Sequence, residues 1–184
     1  MIKKKIYDKI FLFQNEFGSK TYYIQDKKKL LIDAGVFVNE KVDIIILTHC
    51  HYDHILFLEE IKRKNKCEVM CGENDKEDIE QITEKTLFFL SPKKLRGVKI
   101  TKPLKEGEKI NIGTFIFEVL ETPGHTSGSI SLFERNKKIL FSGDTWFGNN
   151  FIGRTDFPSG DEKTLLSSVS KLKKLSPQLI FPGH

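Results

Sequence analysis

Four side chains able to bind a metal fall within six residues, His49, His51, Asp53 and His54, in the run THCHYDH. The chain has only five histidines, and they occupy three places: this run, TPGHT at His125 and the terminal PGH at His184. Imidazole and carboxylate donors suit Zn²⁺, Fe²⁺ and Mn²⁺. Alternate residues of an extended segment point to one side, so His49 and His51 can grip one ion together. Asp53 and His54 lie where the chain turns into a helix and can reach a neighbouring ion. A satisfied surface histidine group is the bland alternative, and the clustering outweighs it. A lone His125 would more often be structural; beside the first cluster it becomes a ligand candidate. Asp144, in FSGDT, is by itself as readily a turn former as a ligand.

Each candidate requires an element that ends at it. Residues 43–47 (DIIIL) form a continuous β-branched run, the pattern of a strand buried on both faces, and THCHYDH follows directly. Ile55, Leu58 and Ile61 then recur at helical spacing, which predicts a helix over 55–63. His125 follows a strand over 114–120, Asp144 one over 138–142, and His184 one over 178–181. All share one plan: apolar strand, short turn, ligand at the exit, where sites in α/β sheets commonly lie. Further strands are expected at 9–13, 20–25, 29–33, 67–71, 98–101, 109–112 and 129–133, with Asn15, Gly18 and Asp26 as turn residues and a hairpin turn at 111–113. A short helix is expected at 75–81. Residues 83–97 read as a helix plus a loop that covers the site. Residues 162–175 are amphipathic, with Leu165, Leu166, Val169, Leu172 and Leu175 on one face. No repeat or linker interrupts the chain, so one α/β domain over 1–184 is expected, two packed sheets with helices outside.

The 184 residues carry a net charge of +5, but only four of the thirty basic residues are Arg, and Lys is scattered throughout. Base readout and bidentate phosphate recognition favour Arg, so a solvated surface is expected and nucleic acid is not the expected partner. The longest apolar stretch near the N-terminus, residues 10–13, is too short for a signal-peptide core, and no run approaches the roughly 18 apolar residues of a membrane span. A soluble cytoplasmic protein acting on a small molecule is expected. Three cysteines (Cys50, Cys67, Cys71) are too few for a disulfide scaffold. Cys67 and Cys71 read as small buried residues rather than a metal pair. Cys50 alternates away from its neighbouring ligands and reads as packed into the sheet.

The set THCHYDH, TPGHT, SGDT and PGH, in this order, resembles the metallo-β-lactamase superfamily, and with LLIDAG at residues 30–35 the resemblance covers nearly the whole chain. GRTDFPSGD at 153–161 is similar to the single-domain relatives of hydroxyacylglutathione hydrolase (glyoxalase II). The resemblance implies a four-layer αββα sandwich holding two divalent metal ions, zinc first, with iron or manganese as alternatives. It implies one ion on His49, His51 and His125, a second on Asp53, His54 and His184, and Asp144 bridging them, with Asp33 beside the first histidine motif. The implied reaction is attack of hydroxide generated at the metals on a thioester or ester, the leaving thiolate taking its proton from water or through Asp53. β-Lactamases of the common zinc type carry Cys at the place of Asp144 and lack a histidine at the place of His54. A persulfide dioxygenase, with one iron on His49, His125 and Asp144, is the competing oxygen-dependent reading; those relatives end in Pro-Ala-His-Asp, not Phe181-Pro-Gly-His184. A nuclease is a weaker one. Arg154 either braces its loop through Asp156 or Asp161 or meets a substrate carboxylate. Trp146 and Phe147 wall the pocket or join the core. Relatives continue past PGH, so the chain is expected to lack its C-terminal end, leaving the second ion dependent on the last residue.

Overall fold

The computed structural model describes residues 2–14 and 18–184; Asn15, expected at a turn, lies outside the described residues. The first sheet has seven strands in sequential order: β1 (Ile2–Tyr7), β2 (Ile10–Gln14), β3 (Lys20–Gln25), β4 (Lys29–Ile32), β5 (Ile44–Leu47), β6 (Glu68–Gly72) and β7 (Lys102–Leu104). β1 to β4 form an antiparallel meander, and β4 to β7 run parallel. Every residue of β5 is buried, as a β-branched run between two parallel neighbours requires. β1 (IKKKIY) was not expected as a strand. Lysines at an edge position stop further strands from pairing there, which hides the strand from an alternation test.

The second sheet begins with β8 (Lys109–Asn111), β9 (Ile116–Glu121), β10 (Ile130–Glu134) and β11 (Ile139–Gly143). A small hairpin follows, β12 (Trp146–Gly148) with β13 (Phe151–Ile152), and β14 (Leu179–Pro182) returns parallel to β11 at the sheet edge. The expected turn at 111–113 closes β8 onto β9, with Asn111 Oδ1 accepting the Gly113 N–H at 2.9 Å. The helices are α1 (Tyr52–Ile55), α2 (Leu58–Asn65), α3 (Lys76–Gln81) and α4 (Glu162–Lys174).

Three apolar clusters make this a four-layer αββα sandwich. Between the sheets, Ile24, Ile32 and Ile46 of the first meet Phe117, Leu132 and Phe141 of the second. On the outer face of the first sheet, Leu31, Ile45 and Val69 pack against Leu58 and Ile61 of α2 and Ile79 of α3. On the outer face of the second, Leu120, Phe133 and Leu140 meet Leu165, Val169 and Leu172 of α4. Burying each such side chain contributes about 1.5–3 kcal/mol relative to leaving it in water. Asp161 caps α4, accepting the Thr164 N–H at 2.7 Å.

Several boundaries differ from expectation. The helix over 55–63 is two short ones, α1 and α2, because the chain must first place Asp53 and His54. The strand at 98–101 falls instead at Lys102–Leu104; Val98 and Ile100 are buried in the helical layer. Leu166, expected on the inner face of α4, is 52% exposed, one position off the Leu165–Val169–Leu172 stripe. Residues 84–90 are single turns of 3₁₀ helix, not an α-helix.

Candidate metal centre

Four strand ends converge on one point. β5 delivers His49 to His54, β9 leads to His125, β11 to Asp144 and β14 to His184. All seven sequence candidates come together in three overlapping sets, His49–His51–His125, His49–His54–Asp144 and Asp53–His54–His184; within each set the donor atoms lie within 4.8 Å of one another. Asp144 reaches both sides of the cluster: its Oδ1 is 3.5 Å from His54 Nε2, while its Oδ2 is 3.5 Å from His125 Nε2 and 3.4 Å from His184 Nε2. Asp53 Oδ2 is 3.0 Å from His184 Nε2.

Three ligand candidates are oriented through their other ring nitrogen, which fixes the tautomer that leaves Nε2 free. His125 Nδ1 donates to the Arg154 carbonyl at 2.8 Å. His54 Nδ1 donates to Asp33 Oδ2 at 2.9 Å. His49 Nδ1 is 3.1 Å from Thr48 Oγ1, whose hydroxyl in turn donates to Asp33. Asp33 therefore sets two ligand candidates at once, from a left-handed backbone position (φ 62°) that Asp tolerates better than most residues. It lies where the resemblance implied.

The fit to metal can be tested on the donors themselves. Among the described residues, the buried side-chain polar atoms without a hydrogen-bond partner are His49 Nε2, His51 Nε2, His125 Nε2 and Asp144 Oδ1. An unpaired buried polar atom costs about 1–3 kcal/mol, so four in one place is what a ligand set for a cation looks like. Burial, reinforced by neighbouring imidazoles, pushes His49 well below its ordinary value and His51 down to about 3; burial also lowers His125. These rings are neutral, as metal ligands must be. Burial would lower His54 too, but Asp53, Asp144 and Asp33 outweigh it and push it up to about 10. The carboxylates on that side call for positive charge.

The terminal ligand is anchored by backbone rather than by side-chain burial. Lys20 N–H donates to the Gly183 carbonyl at 2.8 Å, Gly183 N–H to that of Gly143 at 2.9 Å, and the Tyr22 hydroxyl to that of Pro182 at 2.6 Å. Gly183 is required for close approach, because a Cβ there would collide with Asp144 Oδ1 and His54 Cε1.

Asp75 was not expected at the site. It is fully buried, and its carboxylate accepts the Cys50 N–H (2.9 Å), the Thr126 hydroxyl (2.7 Å) and the Gly128 N–H (2.7 Å), lashing the THCHYDH loop to the TPGHT loop. Cys50, Asp75 and Asp78 form another compact buried trio. Its carboxylates are already engaged, Asp78 by Thr83 and Lys85, so it reads as structure. Cys50 is buried, as expected, and burial raises its thiol well above the ordinary value.

The ligands open into a cavity of about 430 Å³ lined by Tyr52, Leu87, Leu90, Phe147, Ile152, Arg154 and Phe157 as well as His51, Asp53, His125, Asp144 and His184. Phe147 walls this cavity, whereas Trp146 is buried in the α4 cluster with its Nε1 donating to the Asn149 carbonyl at 3.1 Å. Arg154 braces its loop through both oxygens of Asp156 (2.7 and 2.5 Å), and Asp161 is taken up by the α4 cap. A larger groove of about 760 Å³ along α4 shares none of the seven candidates. Among the described residues no helix is long and apolar enough to cross a membrane.

Comparison with known proteins agrees with this geometry. The family model of the metallo-beta-lactamase superfamily matches residues 37–184. A probable metallo-hydrolase of Methanocaldococcus jannaschii is 32% identical over 91% of this chain and 88% of its own. A probable metallo-hydrolase of Bacillus subtilis is 34% identical, covering 89% and 82%. The hydroxyacylglutathione hydrolase GloC of Haemophilus influenzae is 38% identical, covering 77% and 68%. Among solved structures, TTHA1623 in a di-iron-bound form superposes with a TM-score of 0.78 at 26% identity, covering 92% of this chain and 89% of that one. The B3 metallo-beta-lactamase BLEG-1 gives 0.73 at 26%, covering 94% and 90%. The sequence argument against lactamases therefore reaches only the type with Cys in place of Asp144.

Proposed function

The chain belongs to the metallo-beta-lactamase superfamily, and we propose that within it the protein is a dinuclear metal-dependent hydrolase of a small-molecule thioester or ester. The observation that carries this reading is the buried set of unpartnered His49, His51 and His125 Nε2 atoms with Asp144 Oδ1, directly beside Asp53, His54 and His184. His49, His51 and His125 would hold one ion and Asp53, His54 and His184 the other, with Asp144, whose carboxylate oxygens face both sets, available to either. Zinc is the proposed ion; the donors also suit iron and manganese, and TTHA1623 holds two irons.

When bound, divalent ions in such a site lower the pKa of water towards about 7 and polarise a carbonyl oxygen. The chain's own residues do the rest. Asp33 takes the Nδ1–H of His54 and, through Thr48, that of His49, so both rings turn Nε2 towards the cluster; a bound cation would take the place of the proton that His54 otherwise carries there. The Arg154 carbonyl does the same for His125. Asp53 lines the cavity and can take up the proton released as water attacks the carbonyl. A thiol has a pKa of about 8.5, so a thiolate leaves near neutral pH with little help from an acid. Leu87, Leu90, Phe147 and Phe157 give the cavity an apolar wall beside the cluster. Three unpaired cysteines suit a reducing, cytoplasmic setting, and the described chain is taken as one catalytic domain.

A mononuclear iron dioxygenase would leave His54 and His184 with Nε2 atoms 3.3 Å apart beside two carboxylates and no ion between them. The test uses metal-depleted protein reloaded with Zn²⁺, Mn²⁺ or Fe²⁺ and given thioesters, a β-lactam and glutathione persulfide. Metal-dependent thioester hydrolysis without oxygen uptake is expected. Oxygen uptake with persulfide at one iron per chain, or β-lactam cleavage alone, would overturn the reading.

A further inference from the structure

We propose that the substrate carries an uncharged, apolar arm, such as an acyl chain or aryl group, seated between two hydrophobic lips of the cavity, and that the site discriminates against a charged glutathionyl arm. This rests on the hydrolase reading above and adds the substrate class to it. Among the described residues six large apolar side chains are strongly exposed. One of them, Leu90 (50%), lines this cavity, and three more adjoin lining residues in the chain: Phe88 (41%) and Phe89 (61%) between Leu87 and Leu90, and Phe151 (71%) beside Ile152. Scattered exposed apolar residues are ordinary, but an exposed apolar run that leads directly into an apolar-walled cavity is of the kind that marks a binding site.

Backbone geometry holds the first lip in place. Leu87 is 2% exposed and sits in the left-handed region at φ 56°, a conformation that a leucine adopts at a cost of roughly 1 kcal/mol or more. It joins the 3₁₀ turns Glu84–Thr86 and Phe88–Leu90, so the buried leucine anchors the turn that carries its three exposed neighbours. The second lip is the β12–β13 hairpin. Phe147 and Ile152 line the cavity from it, and the exposed Phe151 is the strand neighbour of Ile152. The lips are contiguous with the ligand cluster, since Leu87, Leu90, Phe147 and Ile152 share one cavity with His125, Asp144 and His184. Its volume of about 430 Å³ suits a small molecule rather than a macromolecular segment.

Charge points the same way. Apart from histidines, the one cationic side chain in the lining is Arg154. Its fork is taken by Asp156, and its guanidinium lies 4.1 Å from the Phe157 ring centroid. A glutathionyl arm brings two carboxylates to a lining whose one cationic side chain other than histidine is already paired.

The experiment compares zinc-loaded wild type with the double variant Leu90→Ser/Phe151→Ser, with folding and metal content checked in both. Substrates are S-acyl-N-acetylcysteamines from acetyl to hexanoyl, plus S-lactoylglutathione. Binding of the corresponding carboxylic acids, acetate to hexanoate, is measured in parallel by calorimetry. For wild type, kcat/KM should rise about two- to threefold per added methylene, less than the roughly fourfold of full burial because the mouth is open. Hexanoyl should also exceed S-lactoylglutathione, and the double variant should flatten the chain-length slope of both series. Hydrolysis with no chain-length dependence, with S-lactoylglutathione preferred, or with a slope unchanged in the variant overturns the apolar arm and leaves the hydrolase reading standing. Absent hydrolysis, with acid binding that still climbs with chain length and flattens in the variant, overturns the thioester reading and supports the lips.

Discussion

Asp75 Oδ2 accepts the backbone N–H of Cys50 at 2.9 Å, in the middle of the ligand run, while the same oxygen takes the Thr126 hydroxyl and Oδ1 takes the Gly128 N–H. One buried carboxylate thus sets the spacing between the loop of His49 and His51 and the loop of His125. All three partners donate, so an amide in its place must turn an NH₂ towards a donor. Asp75→Asn is therefore expected to lose about 1–3 kcal/mol of stability and about 10- to 100-fold in metal affinity. Urea unfolding of the metal-free protein and competition for zinc with a chelator measure the two separately. Unchanged metal affinity in a folded variant would limit Asp75 to general stability.

Gly183 tests the division of ligands between two ions. A Cβ at this position would strike first Asp144 Oδ1 and His54 Cε1, on the Asp53–His54–His184 side of the cluster. Gly183→Ala should lower bound metal from about two ions per chain towards one. Metal analysis after dialysis checks this, and retention of both ions would refute the assignment of His184 to a separate ion.

Asp26 is a staple between the two sheets. Its buried carboxylate accepts from Lys9 Nζ (2.9 Å), the Thr114 hydroxyl (2.7 Å) and the N–H groups of Thr114 and Phe115. Burial alone would raise its pKa, but these donors outweigh it and hold the carboxyl well below the usual carboxylate range. With the folded value depressed, the contribution is full above the unfolded value of about 3.9 and is lost as pH falls from there towards the folded value. Asp26→Asn should cost about 2–3 kcal/mol at pH 7, with the gap to wild type narrowing below about pH 4. Equilibrium unfolding across this pH range checks both points. A gap independent of pH would show that the carboxylate charge is not what binds the hairpin.

Burial makes the cysteines inert. Cys50 and Cys71 are fully buried and Cys67 is 7% exposed, and burial raises all three thiols. A disulfide-exchange reagent should label the folded protein far more slowly than the unfolded one and release no metal. Rapid labelling of Cys50 with metal loss would make it a ligand or redox group.

The clustering of the seven candidates was legible in the sequence because each member is a local signal, a histidine or aspartate directly after an apolar strand, and the four exits meet by sheet topology. Asp75 was not. Its partners lie 25 and 51 positions away and nothing in the surrounding polar run marks it. The lips were legible in part: residues 83–97 read as covering the site and Phe147 as a possible wall, but β13 is two residues long, and Phe88 to Leu90 follow no α-helical period because their turns are 3₁₀. Val98 and Ile100 misled in the opposite direction, since alternating apolar residues also suit a segment laid against a helical layer.

The central claim is that seven residues form two adjoining cation sites rather than one. Anomalous diffraction from crystals of zinc-reloaded protein tests it most directly. The expected result is two peaks, one among His49, His51 and His125 and one among Asp53, His54 and His184, with Asp144 between them. A single peak held by His49, His125 and Asp144, with His54 and His184 left paired to each other, would contradict it.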